Sequence, residues 1–174
     1  MAIAILGDTH MPKGARRLPQ ECVELIRASE LVIHTGDFTR LGTLEEIAAI
    51  GPPLVAVHGN VDEPALIERL PETTQLELGG VRIALIHDAG PRAGRLNRMR
   101  RRFPDADAVL FGHSHLPLHE RSPDGALQIF NPGSPTERRR APAHSMGTAT
   151  VTGSGSLELE HVWLDGSRAV ASAR

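Results

Sequence analysis

The chain has 174 residues, of which 40% are hydrophobic and 23% are charged, and its formal net charge is -2. These values are typical of one soluble globular domain; they exclude a disordered or fibrous chain and leave no overall electrostatic attraction to nucleic acid or membrane surfaces. Cys22 is the single cysteine, which excludes an intrachain disulfide and a cysteine-type zinc cluster and favours a cytoplasmic protein. No eighteen apolar residues run together, so we expect no membrane span.

Short apolar runs alternate with helical patterns in the first part of the chain, which is typical of βαβ units and a parallel sheet. Strands are predicted at residues 2–7, 31–35, 53–58, 81–87 and 107–112. Helices are predicted at residues 19–29, 43–50, 63–69 and 91–103. The second of these helices is expected to begin with a capping box formed by Thr43 and Glu46.

The last third of the chain has the pattern of two hairpins. Residues 116–121 and 127–131 flank a Pro-Asp-Gly turn, which favours an antiparallel pair. Residues 145–152 and 157–164 flank a Gly-Ser-Gly turn in the same way. Two further antiparallel pairs are therefore expected beside the parallel strands.

Parallel strands followed by antiparallel ones predict a protein of the α/β class, a two-sheet β-sandwich flanked by helices. The predicted elements fill residues 1–164, which we expect to form a single domain because no linker or internal repeat interrupts them. Small residues dominate the segment 165–174, which is predicted to be a frayed tail.

Polar side chains follow the five predicted parallel strands at the point where each strand ends. Ligands of open α/β sheets bind outside the carboxyl ends of the strands, so these side chains are expected to converge on one site. They are Asp8, His10, Asp37, Asn60, His87, His113 and His115.

These residue types are the ones that divalent metals need, since carboxylate and amide oxygens suit hard cations and neutral imidazoles suit borderline ones. Seven ligands are too many for one ion, and they suit a pair of ions about 3.5–4 Å apart that share a bridging carboxylate. Each segment alone has a simpler explanation, such as a helix cap at Asp-Thr-His or ordinary alternating strand residues at His113 and His115. All five segments in this order favour the metal site.

The order Gly-Asp-Thr-His, Gly-Asp, Gly-Asn, an isolated histidine and Gly-His-Ser-His resembles the calcineurin-like metallophosphoesterase superfamily over residues 3 to about 135. The tract Asn131-Pro132-Gly133-Ser134 is similar to one in the small bacterial and archaeal phosphodiesterase branch. The resemblance implies that the first metal is held by Asp8, His10 and His115. It implies that the second metal is held by Asn60, His87 and His113, with Asp37 as the bridge.

The same resemblance implies a dinuclear-metal phosphoesterase, specifically a phosphodiesterase, that cleaves a phosphate ester by attack of a metal-bridging hydroxide. The two ions would be manganese, iron, zinc or nickel, with manganese favoured. Asp37 and Asn60 are the expected catalytic residues, and Asn60 would stabilise the negative charge that builds up on the phosphoryl oxygens.

Two positions depart from the family pattern. Many members carry histidine after the Gly-Asn, where this chain has Val61, and the branch usually has His-Gly-His where this chain has His87-Asp88-Ala89. An outer imidazole can protonate the leaving group, which is worth about 10²–10⁴-fold in rate. The sequence therefore predicts esters with good leaving groups, and it places residue 89 at the rim of the pocket. Asp88 is either a substitute proton donor or a turn carboxylate.

Other polar residues have two interpretations each. His34 and His58 lie within apolar strands and are predicted to be hydrogen-bonded core or ligand-orienting groups rather than ligands. Asp62 is either the N-cap of the third helix or a partner that orients a ligand. Arginines cluster at residues 92–102 and 138–140, where they form a solvated helix face or a surface for phosphate or nucleic acid.

Two alternative functions stay open. A nuclease is supported by the arginine clusters, although 3% aromatic residues leave few platforms on which bases could stack. An interaction scaffold is the other alternative, because the implied fold resembles the retromer subunit that keeps a phosphoesterase shape and serves in protein assembly. The sequence leaves homo-oligomerisation open as well.

Overall fold

The computed structural model describes residues 1–153 and 155–164, so the predicted frayed tail lies outside the described residues. The helices are α1 (Gln20–Arg27), α2 (Leu41–Ala48), α3 (Pro64–Arg69) and α4 (Arg95–Arg102). The strands are β1 (Ala2–Leu6), β2 (Leu31–His34), β3 (Leu54–Ala56), β4 (Thr73–Leu78), β5 (Val81–Ile86), β6 (Ala108–Leu110), β7 (Leu118–Arg121), β8 (Gln128–Asn131), β9 (Ser145–Val151) and β10 (Leu157–Trp163).

The strands form two five-stranded mixed sheets. The first sheet has the order β10-β9-β1-β2-β3, in which β1, β2 and β3 are parallel and β9 is antiparallel to both of its neighbours, β1 and β10. The second has the order β4-β5-β6-β8-β7, in which β5, β6 and β8 are parallel and the two edge strands are antiparallel. Both predicted hairpins, β7 with β8 and β9 with β10, are confirmed.

Alternate side chains of the central strands enter two different apolar layers, because successive side chains of a strand point to opposite faces. Ile3 and Ile5 of β1 pack between the sheets, together with Ile83 and Leu85 of β5. The other face of the first sheet packs against α1, α2 and α3 through residues that include Ala4, Leu6, Ile26, Ile47 and Leu66. The other face of the second sheet packs against α4.

The predicted two-sheet sandwich flanked by helices is therefore confirmed. Burial on both sides of each sheet leaves the strand ends as the place where polar side chains can gather. No helix among the described residues has the length and the apolar character that crossing a membrane requires.

Two local predictions were wrong. β4 was missed, because Thr73–Leu78 alternates polar residues with only two leucines and is an edge strand, paired with β5 alone. The capping box was also wrong: α2 begins at Leu41, so Thr43 lies inside the helix. Its hydroxyl donates instead to the Met11 carbonyl at 2.7 Å, which ties α2 to the loop that follows β1.

Candidate metal centre

The loops after five strands bring all seven predicted side chains together at one end of the sandwich. Three of these loops belong to the first sheet and two to the second, so the site lies where the two sheets meet. The loops carry Asp8 and His10 after β1, Asp37 after β2, Asn60 after β3, His87 after β5, and His113 and His115 after β6.

The first group consists of Asp8, His10 and His115, all of which are buried. The Nε2 atoms of the two histidines lie 3.1 Å apart. Asp8 Oδ1 lies 3.5 Å from His115 Nε2 and 4.0 Å from His10 Nε2. These spacings leave one point between the three side chains that all of them can reach.

The second group is arranged around the amide oxygen of Asn60. This oxygen lies 2.8 Å from His113 Nδ1 and 3.1 Å from His87 Nε2. Asn60 and His113 are exposed, whereas the first group is buried, so the site opens to solvent on the side of the second group.

Asp37 lies between the two groups. Its Oδ2 atom is 3.5 Å from His10 Nε2 and 3.3 Å from His87 Nε2. Its other oxygen, Oδ1, accepts a hydrogen bond from the Val61 backbone N–H at 3.1 Å. One carboxylate oxygen thus faces both groups while the other fixes the side chain.

The backbone of these loops is unusual. Five of the seven predicted ligands have a positive φ, a backbone conformation that residues other than glycine rarely adopt. They are Asp8, His10, Asp37, His113 and His115. Such backbone costs free energy and persists where surrounding contacts impose it, which is typical of functional loops.

Glycine is required directly before two of the predicted ligands, Asn60 and His113. A Cβ atom at Gly59 would collide with the side chain and backbone N–H of Asp37. A Cβ atom at Gly112 would lie 2.8 Å from Thr35 Oγ1 and 3.0 Å from Asp8 Oδ2. The loops can approach one another only because these positions have no side chain.

Hydrogen bonds fix two histidine rings so that Nε2 faces the centre. His87 Nδ1 donates to the Thr35 carbonyl at 2.8 Å, and His115 Nδ1 donates to the Glu137 carbonyl at 2.5 Å. In the neutral ring an Nδ1–H bonded to a carbonyl leaves the lone pair on Nε2 for a cation, which is how proteins orient imidazole ligands. A protonated His87 ring instead donates from Nε2 to Asp37 Oδ2, at 3.3 Å.

Asp62 connects two of the loops. Its Oδ2 accepts from the backbone N–H groups of Gly59 at 2.7 Å and Asp37 at 3.2 Å, and its Oδ1 accepts from Thr39 at 2.6 Å. The N-cap of α3 is Glu63, so the N-cap interpretation of Asp62 is wrong, and its bonds to the loops of Asp37 and Asn60 favour the other one.

The Asn-Pro-Gly-Ser tract holds the loops from the other side. Asn131 Nδ2 donates to the Gly112 carbonyl at 2.7 Å, and Ser134 Oγ donates to the Asp8 carbonyl at 2.8 Å. Sequence reasoning used this tract only as a family marker and missed its contacts with the site, together with Glu137. The tract was visible in the sequence, but its hydrogen-bond partners lie 19 and 126 residues away, so no local pattern links it to the site.

The two inner histidines differ, and the prediction of a buried, hydrogen-bonded core group holds for His34. His34 is fully buried and lies 3.2 Å from Thr9 Oγ1 through Nε2, while Nδ1 accepts from Gly36 N–H. Burial lowers the pKa of His34 to about 3, so the ring is neutral. His58 is half-buried beyond the end of β3, and its Nδ1 donates to the Gly59 carbonyl at 3.3 Å, so it is hydrogen-bonded but is not a core group.

The prediction for Ala89 was wrong. Its side chain is only 2% exposed and packs with Met99 and Phe103, so it lies under α4 and not at the rim of the pocket. Asp88 is exposed and accepts from the Gly90 N–H at 2.7 Å, which makes it a turn carboxylate. Val61, by contrast, is 43% exposed beside Asp37.

The arginines of the first cluster are largely engaged within the protein. Arg98 donates to the carbonyls of Ala89 and Pro91, at 2.8 and 2.5 Å. Arg100 pairs with both oxygens of Asp124, and Arg102 pairs with Glu72 at 2.9 Å. The cluster therefore braces the turn after His87 and the surface of α4.

The pKa values of Asp8 and Asp37 are shifted in opposite directions. Burial raises the pKa of Asp8 to about 7, because desolvation disfavours the charged carboxylate. Burial acts in the same direction on Asp37, but a hydrogen bond with His87 and nearby imidazoles outweigh it and lower its pKa to about 2. Burial lowers the pKa of His115 to about 4, so this ring is a neutral imidazole at neutral pH.

The donor set fits divalent cations. Asp8 Oδ2 is buried and has no hydrogen-bond partner, which is costly for a carboxylate unless a cation satisfies it. Two sets of three groups have ligand atoms within 4.8 Å of one another: Asp8 with His10 and His115, and Asp8 with Asp37 and His87. Carboxylates combined with neutral imidazoles suit manganese, iron, zinc or nickel.

Asp8→Asn is expected to stabilise the metal-free protein increasingly as pH rises. The folded-state pKa of Asp8 is about 7, above its ordinary 3.8, so the carboxyl takes up a proton on folding between these values. Wild-type stability therefore falls as pH rises through this window. Urea unfolding with a chelator at pH 5 and pH 8 should show the advantage of the variant growing by roughly 2–3 kcal/mol. The exposed Asp105→Asn is the control, and an equal difference at both pH values would contradict the prediction.

Comparison with known proteins gives a consistent family assignment. The family model of the calcineurin-like phosphoesterase superfamily domain matches residues 1–154. A probable metallophosphoesterase of Methanothermobacter thermautotrophicus is 33% identical over 141 residues, which make up 80% of this chain and 80% of that protein. The residues matched by the family model include every strand end that carries a predicted ligand.

Solved structures share the fold. Zinc-complexed Vps29 from Entamoeba histolytica superposes with a TM-score of 0.73 at 23% identity and covers 95% of this chain and 100% of that one. An archaeal phosphodiesterase superposes with a TM-score of 0.71 at 20% identity and covers 93% and 100%. The family model and the 33% identical relative show that the chain belongs to the calcineurin-like phosphoesterase superfamily.

Proposed function

We propose that the protein is a dinuclear-metal phosphodiesterase. The position of Asp37 carries the proposal, because one oxygen of this carboxylate lies within 3.5 Å of a histidine nitrogen in each ligand group. Asp8, His10 and His115 would hold one ion, Asn60, His87 and His113 the other, and Asp37 would contact both. Membership of the superfamily implies divalent metals, and the archaeal phosphodiesterase of the same fold supports a diester substrate.

The bound ions would supply Lewis acidity, which polarises phosphoryl oxygens and lowers the pKa of water. The residues of the chain position the ester. The Oδ1 atom of Asn60 faces the two histidines, which leaves its Nδ2 group to donate to a phosphoryl oxygen. A fixed donor at the place where negative charge develops stabilises the transition state more than the ground state.

An open cavity of about 310 Å³ beside the second group suits the organic part of the ester. Asn60 and His87 line this cavity, so it adjoins the second ligand group. The rest of its lining combines an isoleucine with charged and polar side chains: His58, Glu72, Ile86, Asp88 and Arg102.

The proposal is tested by removing metals with a chelator, reconstituting with manganese, and assaying one aryl phosphomonoester and one aryl phosphodiester. We expect two ions per chain by elemental analysis and a higher kcat/KM for the diester. Saturation at one ion, or turnover without metal, would overturn the dinuclear proposal. A monoester preference would leave a phosphoesterase but reject the phosphodiesterase.

Turnover is expected to depend steeply on the leaving group. Val61 occupies the position of an outer imidazole, so no histidine at that site can protonate a departing alkoxide. A series of diesters with leaving groups of increasing pKa should show kcat falling at each step. Val61→His is expected to flatten this dependence, raising turnover about tenfold or more for poor leaving groups and little for good ones. Val61→Asn is the matched polar control, and an already flat wild-type series would reject the argument.

The alternatives receive different support. A non-hydrolytic scaffold is consistent with the Vps29 fold, and it predicts metal binding without turnover in the assay above. A nuclease is not favoured by the first arginine cluster, since Arg98, Arg100 and Arg102 already contact carbonyls or carboxylates of the protein.

A further inference from the structure

Arg139 stands at the mouth of the metal centre. Its Nη1 donates to the His113 carbonyl at 3.4 Å, and its Nη2 lies 4.0 Å from Glu137 Oε2. The side chain is 47% exposed. The guanidinium therefore lies between the His113 loop and Glu137, whose Oε2 is 3.7 Å from His10 Nε2.

Glu137 positions this arginine without neutralising it. Its Oε1 accepts from Arg16 Nη2 at 2.8 Å, which commits the tight ion pair to Arg16. Its Oε2 lies 3.7 Å from His10 Nε2 and faces Arg139 at the longer distance of 4.0 Å. Arg139 therefore retains guanidinium donors for a ligand, unlike Arg98, whose donors are occupied by carbonyls.

The backbone at Arg139 is held by a turn. Its φ is +48°, in the left-handed region, and it shares this feature with five of the proposed ligands. The Ala141 N–H donates to the Arg138 carbonyl at 2.7 Å and closes the turn around Arg139. The turn therefore fixes the point of the chain from which the arginine side chain extends.

We propose that Arg139 is a substrate-binding residue that donates to the non-bridging oxygens of the phosphoryl group lying between the two ligand groups. The proposal rests on the proposed function, because it assumes a phosphate ester at that point. The planar guanidinium matches two phosphate oxygens at once, which an imidazole cannot do. It binds the phosphoryl group and does not protonate the leaving group.

The test uses Arg139→Ala, Arg139→Lys and the control Arg140→Ala, whose side chain is also exposed. Metal content is measured by elemental analysis, and binding of inorganic phosphate to the manganese-loaded protein is measured by calorimetry. We expect Arg139→Ala to keep its metals and to weaken phosphate binding by about tenfold to a hundredfold, as for loss of a charged hydrogen bond. Arg139→Lys should fall between wild type and Arg139→Ala, and Arg140→Ala should equal wild type.

Hydrolysis of an aryl diester provides the second readout. KM should rise in Arg139→Ala in parallel with the phosphate Kd. An unchanged phosphate Kd with metals retained would overturn the proposal, and so would loss of metal in Arg139→Ala, which would make the residue a support for the His113 loop. A weaker phosphate Kd with unchanged KM would also overturn it. If wild-type protein cleaves no ester, the proposed function fails, while the phosphate Kd values still decide whether Arg139 binds the anion.

Discussion

Asp37→Asn is expected to abolish hydrolysis and to remove at least one metal ion per chain. The two oxygens of Asp37 have separate tasks: Oδ2 faces His10 and His87, while Oδ1 accepts the Val61 N–H. Asparagine offers one oxygen and no charge, so it can satisfy the backbone or the centre but not both. The loss in kcat/KM should go well beyond the roughly 10–100-fold that follows loss of an outer partner of a ligand.

Steady-state kinetics and elemental analysis of the purified variant check this result, with the exposed Asp105→Asn as the control. Because asparagine has nearly the same shape, the variant should fold, and circular dichroism should match wild type. Full activity, or two retained metals with normal turnover, would contradict a bridging role for Asp37.

Asp62→Ala is expected to cost about 3–5 kcal/mol of unfolding free energy. The carboxylate is 6% exposed and accepts three backbone N–H groups from two loops, those of Asp37, Thr39 and Gly59. Each buried donor left without an acceptor costs on the order of 1–3 kcal/mol. Urea unfolding of the metal-free protein measures the loss directly.

Asp62→Asn is the matched variant, since its amide keeps one acceptor oxygen and its stability should lie between that of wild type and Asp62→Ala. Metal affinity should fall in the same order, because Asp62 fixes the relative position of the loops that carry Asp37 and Asn60. A stability loss below about 1 kcal/mol in Asp62→Ala would show that water replaces the carboxylate.

The convergence of the seven side chains could be predicted because each follows an apolar strand, and parallel strands direct their carboxyl ends to one edge. Glu137 could not be predicted in the same way. It reaches the site from an irregular segment, and its carbonyl contact with His115 spans 22 residues without any local pattern. Asp62 was ambiguous for a related reason, since a carboxylate just before a helix is also a common N-cap.

Ala89 shows where spacing alone misleads. Counting two positions from His87 placed residue 89 near the pocket, which assumed an extended path. The turn at Asp88 and Gly90 redirects the chain, and the Ala89 side chain enters the layer under α4. A histidine there would overpack a buried site, so Val61 is the better place to test an added imidazole.

The pairing of β1 with β9 joins the first strand of the chain to one from its last third. Ala2 pairs with Thr150, and Ser134 binds the carbonyl of Asp8. The first residues of the chain can therefore complete their native contacts only after the last third has been synthesised. Contacts of such long sequence separation give a high contact order and slow folding. During synthesis β1 has an open, apolar edge until β9 emerges, so chains truncated before Ser145 are expected to aggregate by edge pairing.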